Sequence, residues 1–259
     1  MNIRRIWGVV TRHMIQLPQD FNKWSSILFW PLLDIILFGY TAMWLENNET
    51  QSFTILLTGV VFWQILVRAN FGVSINFLEE IWSQNITNLF ASPLTIGEWI
   101  VAVMIDGIIM INLTLVFCAG IAFWGYDYNI FALGWALPAL ITMLYLSGLA
   151  MGFLATSILV IWGPRVQALI FIMGYLFAPI SGAFYPVSMM PTWVQYLALS
   201  SPLMYIFNTM RNTITHNAFP WYEGMIGLGL SVCYVIAAIA IFIRCFAYRK
   251  SFGLDQLID

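Results

Sequence analysis

Charge is what this sequence has least of. Only 8% of its 259 residues are Asp, Glu, Lys or Arg, about a third of the share that a water-soluble domain carries. Lys23 and Lys250 are its only lysines, so no polybasic surface exists to hold nucleic acid. Cysteine is scarce too. Cys118, Cys233 and Cys245 lie in apolar helical stretches without paired spacing and read as small buried hydrophobes. There is no GxxxxGK[ST] run, which excludes a P-loop and ATP hydrolysis by this chain. The two histidines, His13 and His216, fall on opposite sides of the membrane in the topology below, which excludes a shared zinc or haem site. Ser181-Gly182 has no histidine partner at membrane depth, and Asp106-Gly107 lacks the further aspartates of a metal-dependent headgroup transferase. The chain reads as a non-enzyme, with no cofactor or metal of its own. No cleavable leader is expected: the first apolar run is too long for a signal h-region and lacks a small-residue cleavage site.

What is present is hydrocarbon: 61% hydrophobic residues and a mean hydropathy of +0.84. A bilayer core needs about 20 apolar residues per helix. Six stretches qualify, at 24–45, 53–75, 99–123, 135–160, 166–183 and 224–246. The fifth is short and carries Pro179. Positive charge near the spans sets orientation. Arg4, Arg5, Arg12 and Lys23 precede the first span, Arg165 follows the fourth, and Arg244, Arg249 and Lys250 close the sixth. With both termini cytoplasmic, all of these lie inside, while the outer side holds Arg211 among the acids Glu46, Glu49, Asp127 and Glu223. The expectation is an all-α membrane protein forming one domain. Residues 1–23 make an interfacial helix, 24–246 the six-span bundle and 247–259 a cytoplasmic tail. In the first of these, Ile3, Ile6, Trp7, Val10, Met14 and Leu17 share one helical face and the arginines project elsewhere, toward anionic lipid.

Three charges fall inside spans, where each is costly. Counted from the cytoplasmic ends of the runs, Asp34, Arg68 and Asp106 share one level, about 12–16 Å deep at 1.5 Å per residue. Arg68 is expected either to pair with Asp34, Asp106 or both, or to snorkel to the inner interface. Gly148 and Gly152 form a GxxxG for close helix approach, within one subunit or across a dimer seam.

Two segments bear on function. From Phe77 to Leu94, Leu78, Ile81, Trp82, Asn85 and Leu89 line one stripe of a cytoplasmic helix that Pro93 ends. It lies on the membrane or docks to a partner; periodicity allows both. From Ala178 to Leu203 the chain is apolar yet cut by Pro179, Pro186, Pro191 and Pro202, which suits short helices that dip in and return. Trp193, Tyr196 and Tyr205 belong at the outer interface.

Taken together, the stretch from Trp82 to Leu94 ending in Ser-Pro-Leu, the run Ser181-Gly-Ala-Phe-Tyr-Pro, then Met190-Pro-Thr-Trp and Ser201-Pro-Leu-Met-Tyr, resemble the ABC-2 family of exporter permeases over essentially the whole chain. The resemblance implies a six-span subunit of the bacterial cytoplasmic membrane that forms a homodimer. It also implies a separate cytoplasmic ABC ATPase, which holds ATP and magnesium and docks on the helix between spans two and three. Trp82, Asn85, Leu89, Ser92, Pro93 and Leu94 become its contacts. Pro179, Gly182, Tyr185, Pro186, Pro191, Trp193 and Pro202 become an outer re-entrant gate. The cargo implied is amphipathic: a lipid, a glycolipid or lipid-linked glycan, or a hydrophobic drug. The stretch Gln84 to Phe90 departs from the pattern in lacking the charges many members carry there. The alternatives are an ion-gradient-driven secondary transporter, for which inverted repeats are expected and none is seen, and a membrane scaffold that transports nothing.

Overall fold

A computed structural model describes residues 1–19, 21–45 and 52–252. Glu46 and Glu49, and residues 253–259 of the expected tail, lie outside them. The described residues form helices and turns without a strand. In chain order the helices are α1 (Ile3–Gln16), α2 (Phe21–Trp24), α3 (Trp30–Leu45), α4 (Ser52–Trp82), α5 (Ile86–Ala91), α6 (Ile96–Tyr126), α7 (Ala136–Trp162), α8 (Ala168–Leu176), α9 (Ala178–Ser181), α10 (Thr192–Ala198), α11 (Pro202–His216) and α12 (Trp221–Phe252). A π-helical turn, Ser25–Phe29, leads from α2 into α3.

Five helical segments are long and apolar enough to cross a bilayer: Ser25–Trp44, Phe53–Trp82, Ile96–Tyr126, Ala136–Val166 and Trp221–Ser251. This is an all-α, multi-pass membrane protein. The expected fifth span differs: it is the shorter apolar stretch Ala168–Ser181, broken between α8 and α9. Its 14 residues reach about 21 Å, short of the hydrocarbon thickness of about 30 Å.

Helices α4 and α7 form the centre, with α6 and α3 against one side of α4 and α12 and α11 against α7. They meet closely because Gly148 and Gly152 present no side chain. A Cβ on Gly148 would lie 2.6 Å from the Leu66 carbonyl oxygen, and one on Gly152 would lie 2.7 Å from that of Asn70. The GxxxG thus packs within the chain. Ser157 and Thr156 donate to carbonyls one turn back and need no partner elsewhere. By contrast α3 and α12 are each only 28% buried over their apolar windows, leaving Trp30, Leu37, Tyr40, Trp44, Met225 and Ile236 exposed.

The bundle has two distinct ends. At one, an aromatic core of Phe77, Trp99, Phe153 and Phe242 joins α4, α6, α7 and α12, and Phe90 of α5 meets Phe246 at 4.7 Å between ring centroids. Helix α1, α5 and the C-terminal part of α12 therefore share this end. At the other, Trp135 before α7 stacks on Trp221 at the start of α12, with centroids 5.2 Å apart. Since α7 ends and α12 begins at opposite ends, the segment from Gly163 to Pro220 carries the chain from one to the other.

Candidate functional site

The corner between α4 and α6 was expected to be one continuous helix, and it is two. Helix α4 runs on past the apolar stretch to Trp82, and the chain then turns through Gln84 in the left-handed region (φ 54°). The backbone amides of Ser83, Gln84 and Asn85 donate back to the carbonyls of Glu79, Ile81 and Glu80, closing the end of α4. Helix α5 then spans only Ile86–Ala91, with Ile86 fully buried as its anchor. Of the expected docking residues, Trp82 is 57% exposed and Ser92 and Pro93 are exposed, whereas Asn85, Leu89 and Leu94 are half-buried. Leu89 and Leu94 pack against the core. The Asn85 amide donates to Glu80 Oε2 at 2.9 Å.

Charged residues of α1 and α2 hold this corner in place. Arg12 pairs with Glu80, and Arg5 Nη1 donates to the Pro93 carbonyl oxygen at 2.5 Å while standing 3.8 Å from Glu98. Glu98 also accepts from the backbone N–H of Asn2 (2.7 Å) and of Thr95 (2.9 Å), and Thr95 caps α6 in return. Lys23 meets Glu79 at 2.6 Å. The arginines expected to face lipid thus turn in part to protein acids. The buried face of α1 is Ile6, Val9, Val10 and His13, rotated by about 60° at 100° per residue from the expected stripe. Ile3 and Trp7 stay exposed on its flank. Burial lowers the pKa of the Arg12 guanidinium, and the neighbouring Glu79 carboxylate acts against that shift. Between this stapled α1 and the α4–α5 turn opens a polar groove of about 1120 Å³, lined by Arg12, Gln16, Lys23, Glu79, Trp82 and Asn85 among others.

The three intramembrane charges do not form one cluster. Arg68 donates from Nη1 to Ser26 Oγ at 3.1 Å and from Nη2 to the Ser26 carbonyl oxygen. It makes no ion pair with Asp34 or Asp106. The π-helical turn explains this, because its irregular ladder leaves a carbonyl to an outside donor. Asp34 instead accepts from Gln64 Nε2 at 2.5 Å. Asp106 accepts from Asn76 Nδ2 at 2.9 Å and lies 3.6 Å from His13 Nδ1. Nor do they share a level: their contacts on α4 run from Gln64 to Asn76, about 18 Å along the helix. Counting inward from the ends of apolar runs fails here because α4 and α6 extend past those runs, to Trp82 and back to Ile96. What α4 carries is a polar ladder, Gln64, Arg68 and Asn76, facing α3 and α6.

At the opposite end the proline-rich segment makes a built turn. Gly182 ends α9 in the left-handed region (φ 73°) and its carbonyl accepts from Arg211 Nη2 at 3.1 Å. Tyr185 closes the turn by donating to the Pro179 carbonyl oxygen at 2.9 Å. Phe184 stacks on Phe38 of α3 at 5.0 Å and meets Trp63 of α4 at 5.8 Å. The Ala183 carbonyl presses on Gly59, where a Cβ would sit 2.5 Å away. Pro186 precedes the 3-10 turn Val187–Met189 and Pro191 precedes α10. So Pro179, Gly182, Tyr185 and Pro186 converge, while Trp193 is exposed on α10 and Pro202 is buried at the first turn of α11, where it shares a cavity wall with Phe177 and Ile180. From Gly59 to Trp82 is about 35 Å along α4, so one helix touches both the turn and the α4–α5 corner.

No model of a known protein family matches the chain, and no curated protein does. Sequence reasoning missed Glu80 and Glu98 as partners for α1 and Glu79 as the partner of Lys23 in α2. Their signal was available, since acids between spans two and three face arginines assigned to the same side.

Proposed function

We propose that this chain is the transmembrane permease subunit of an ATP-driven exporter of amphipathic molecules (lipid, glycolipid or lipid-linked glycan, or hydrophobic drug), energised by a separate cytoplasmic ABC ATPase. The observation that carries the reading is α4, a single 31-residue helix whose one end forms the exposed Trp82–Leu94 corner and whose other end abuts the gate turn at Gly59. Motion imposed on the corner reaches the turn without passing through a flexible joint. ATP and magnesium belong to the ATPase, which seats on Trp82, Ser92 and Pro93. Asn85, Leu89 and Leu94 hold that surface from beneath.

The resemblance to ABC-2 permeases supports the same reading, as does the sidedness of charge. Arg4, Arg5, Arg12, Lys23, Arg165, Arg244, Arg249 and Lys250 belong to the corner end, which is the cytoplasmic one in a bacterial inner membrane. On this view α8, α9 and the gate turn complete a sixth, short crossing, and both termini are cytoplasmic. A second copy covers part of the exposed α3 and α12 faces. Cargo passes along α3, α4 and α8.

An ion-gradient-driven secondary transporter is the second reading, and one observation favours it: His13 and Asp106 are both buried and close. Purification of the tagged chain from its own membranes separates the two. Export by ATP predicts a co-purifying, vanadate-sensitive ATPase, lost at least tenfold on Trp82→Asp and kept when Arg211 is changed. A chain that transports in vesicles without any ATPase overturns it.

A further inference from the structure

We propose that the cavity between the gate turn, α10 and α11 binds the anionic headgroup of an amphipathic molecule, with Arg211 as the recognising charge. The inference deepens the export reading by naming a headgroup class, and it rests on that reading only for the word cargo. The cavity measures about 440 Å³. Arg211 is the sole ion in its lining, which contains no acid. Glu223, the acid at the start of α12, makes no ion pair with Arg211 and is engaged by two amides. It accepts from Asn208 Nδ2 at 2.9 Å and from Asn212 Nδ2 at 3.1 Å, two residues one turn apart on the α12-facing side of α11. Arg211 lines the cavity beside Asn208 and, among the described residues, gives one hydrogen bond, to the Gly182 carbonyl. A guanidinium has five N–H donors and stays ionised, so four remain for an occupant.

The surroundings fit an oxyanion. Ser188, Thr192 and Tyr196 bring hydroxyls to the lining, while Gln195 spends its amide on the carbonyls of Met190 and Ser188 and so fixes the loop that presents them. Leu199 and Met204 continue the same wall as apolar surface, which suits the first carbons of a chain rather than a free ion. Burial already disfavours the charged form of Arg211, and an anion in bidentate contact returns what desolvation took.

The test uses the full chain in neutral-detergent micelles, titrated calorimetrically with dodecyl phosphate, dodecyltrimethylammonium and inorganic phosphate. Saturable binding of dodecyl phosphate alone is expected. Arg211→Gln should weaken it tenfold or more and Arg211→Lys less. Because Arg211 also holds the Gly182 carbonyl, Ser188→Asp provides a second variant that supplies an internal carboxylate and leaves the arginine in place; it too should weaken binding tenfold. Equal affinity for the cationic amphiphile, or wild-type binding by both Arg211→Gln and Ser188→Asp, overturns the proposal. Inorganic phosphate binding as tightly as dodecyl phosphate overturns its amphiphile part. No ATPase enters the assay, so failure of the docking assignment leaves this result standing.

Discussion

At the end of the bundle that carries α5, Arg5, Arg12 and Lys23 reach Glu98, Glu80 and Glu79 and tie α1 and α2 to α4 and α6. At the other end Arg211 grips a backbone carbonyl and Tyr185 grips another, and the turn meets α3 and α4 through the rings of Phe184, Phe38 and Trp63 and through the Ala183 carbonyl on Gly59. The two chemistries separate at different cost. Pulling apart a partly buried ion pair strands a charge, so these pairs hold α1, α2, α4 and α6 together. Parting aromatic faces strands no charge, so the turn at Gly182 can leave α3 and α4 without dismantling them. A rigid corner and a releasable turn fit the proposed role as a permease.

Three substitutions probe that contrast. The largest effect is expected from Glu80→Ala, which strips the carboxylate from Arg12 and the acceptor from Asn85. It should cost about 3 kcal/mol, the usual penalty for breaking a buried pair, read as a lower thermal midpoint in detergent; a change within error would mean the corner is not held by charge. Next is Gly59→Val, which overpacks the Ala183 carbonyl at about 1–3 kcal/mol. Limited proteolysis should then cut more readily between Ala183 and Pro191 while the α4–α5 corner keeps its wild-type pattern, and equal sensitivity at both ends would erase the distinction. Tyr185→Phe comes last. It removes one hydrogen bond worth about 1 kcal/mol, and a loss as large as that of Glu80→Ala would reverse the ranking of the two ends.

Much of the architecture was legible from hydropathy. The long apolar runs became helices, Pro93 and Pro186 fell at breaks, and the glycine pair of α7 marked the tightest helix contact. Local irregularities were not legible. Nothing in Ser83-Gln84-Asn85 announces that the glutamine takes the left-handed conformation, because side chains at that position usually avoid it. The π-helical turn has no composition signal either, and it decided where Arg68 points. The facing of α1 was read 60° away for a chemical reason: His13 counts as polar in a periodicity, yet it is buried beside Asp106. Periodicity sees hydrophobicity, whereas this helix is oriented as well by the pairs Arg5–Glu98 and Arg12–Glu80.

The turn at Ser25–Phe29 inserts one residue into the winding of the first span. Everything after it is therefore phased by that insertion, including which side of α3 shows Trp30, Tyr40 and Trp44 to the surroundings. A sequence one residue shorter at this point would swing the rest of the span through about 100°, carrying Asp34 off its glutamine and driving those rings toward α4. The outward face of the first crossing is in this sense decided before the helix proper begins.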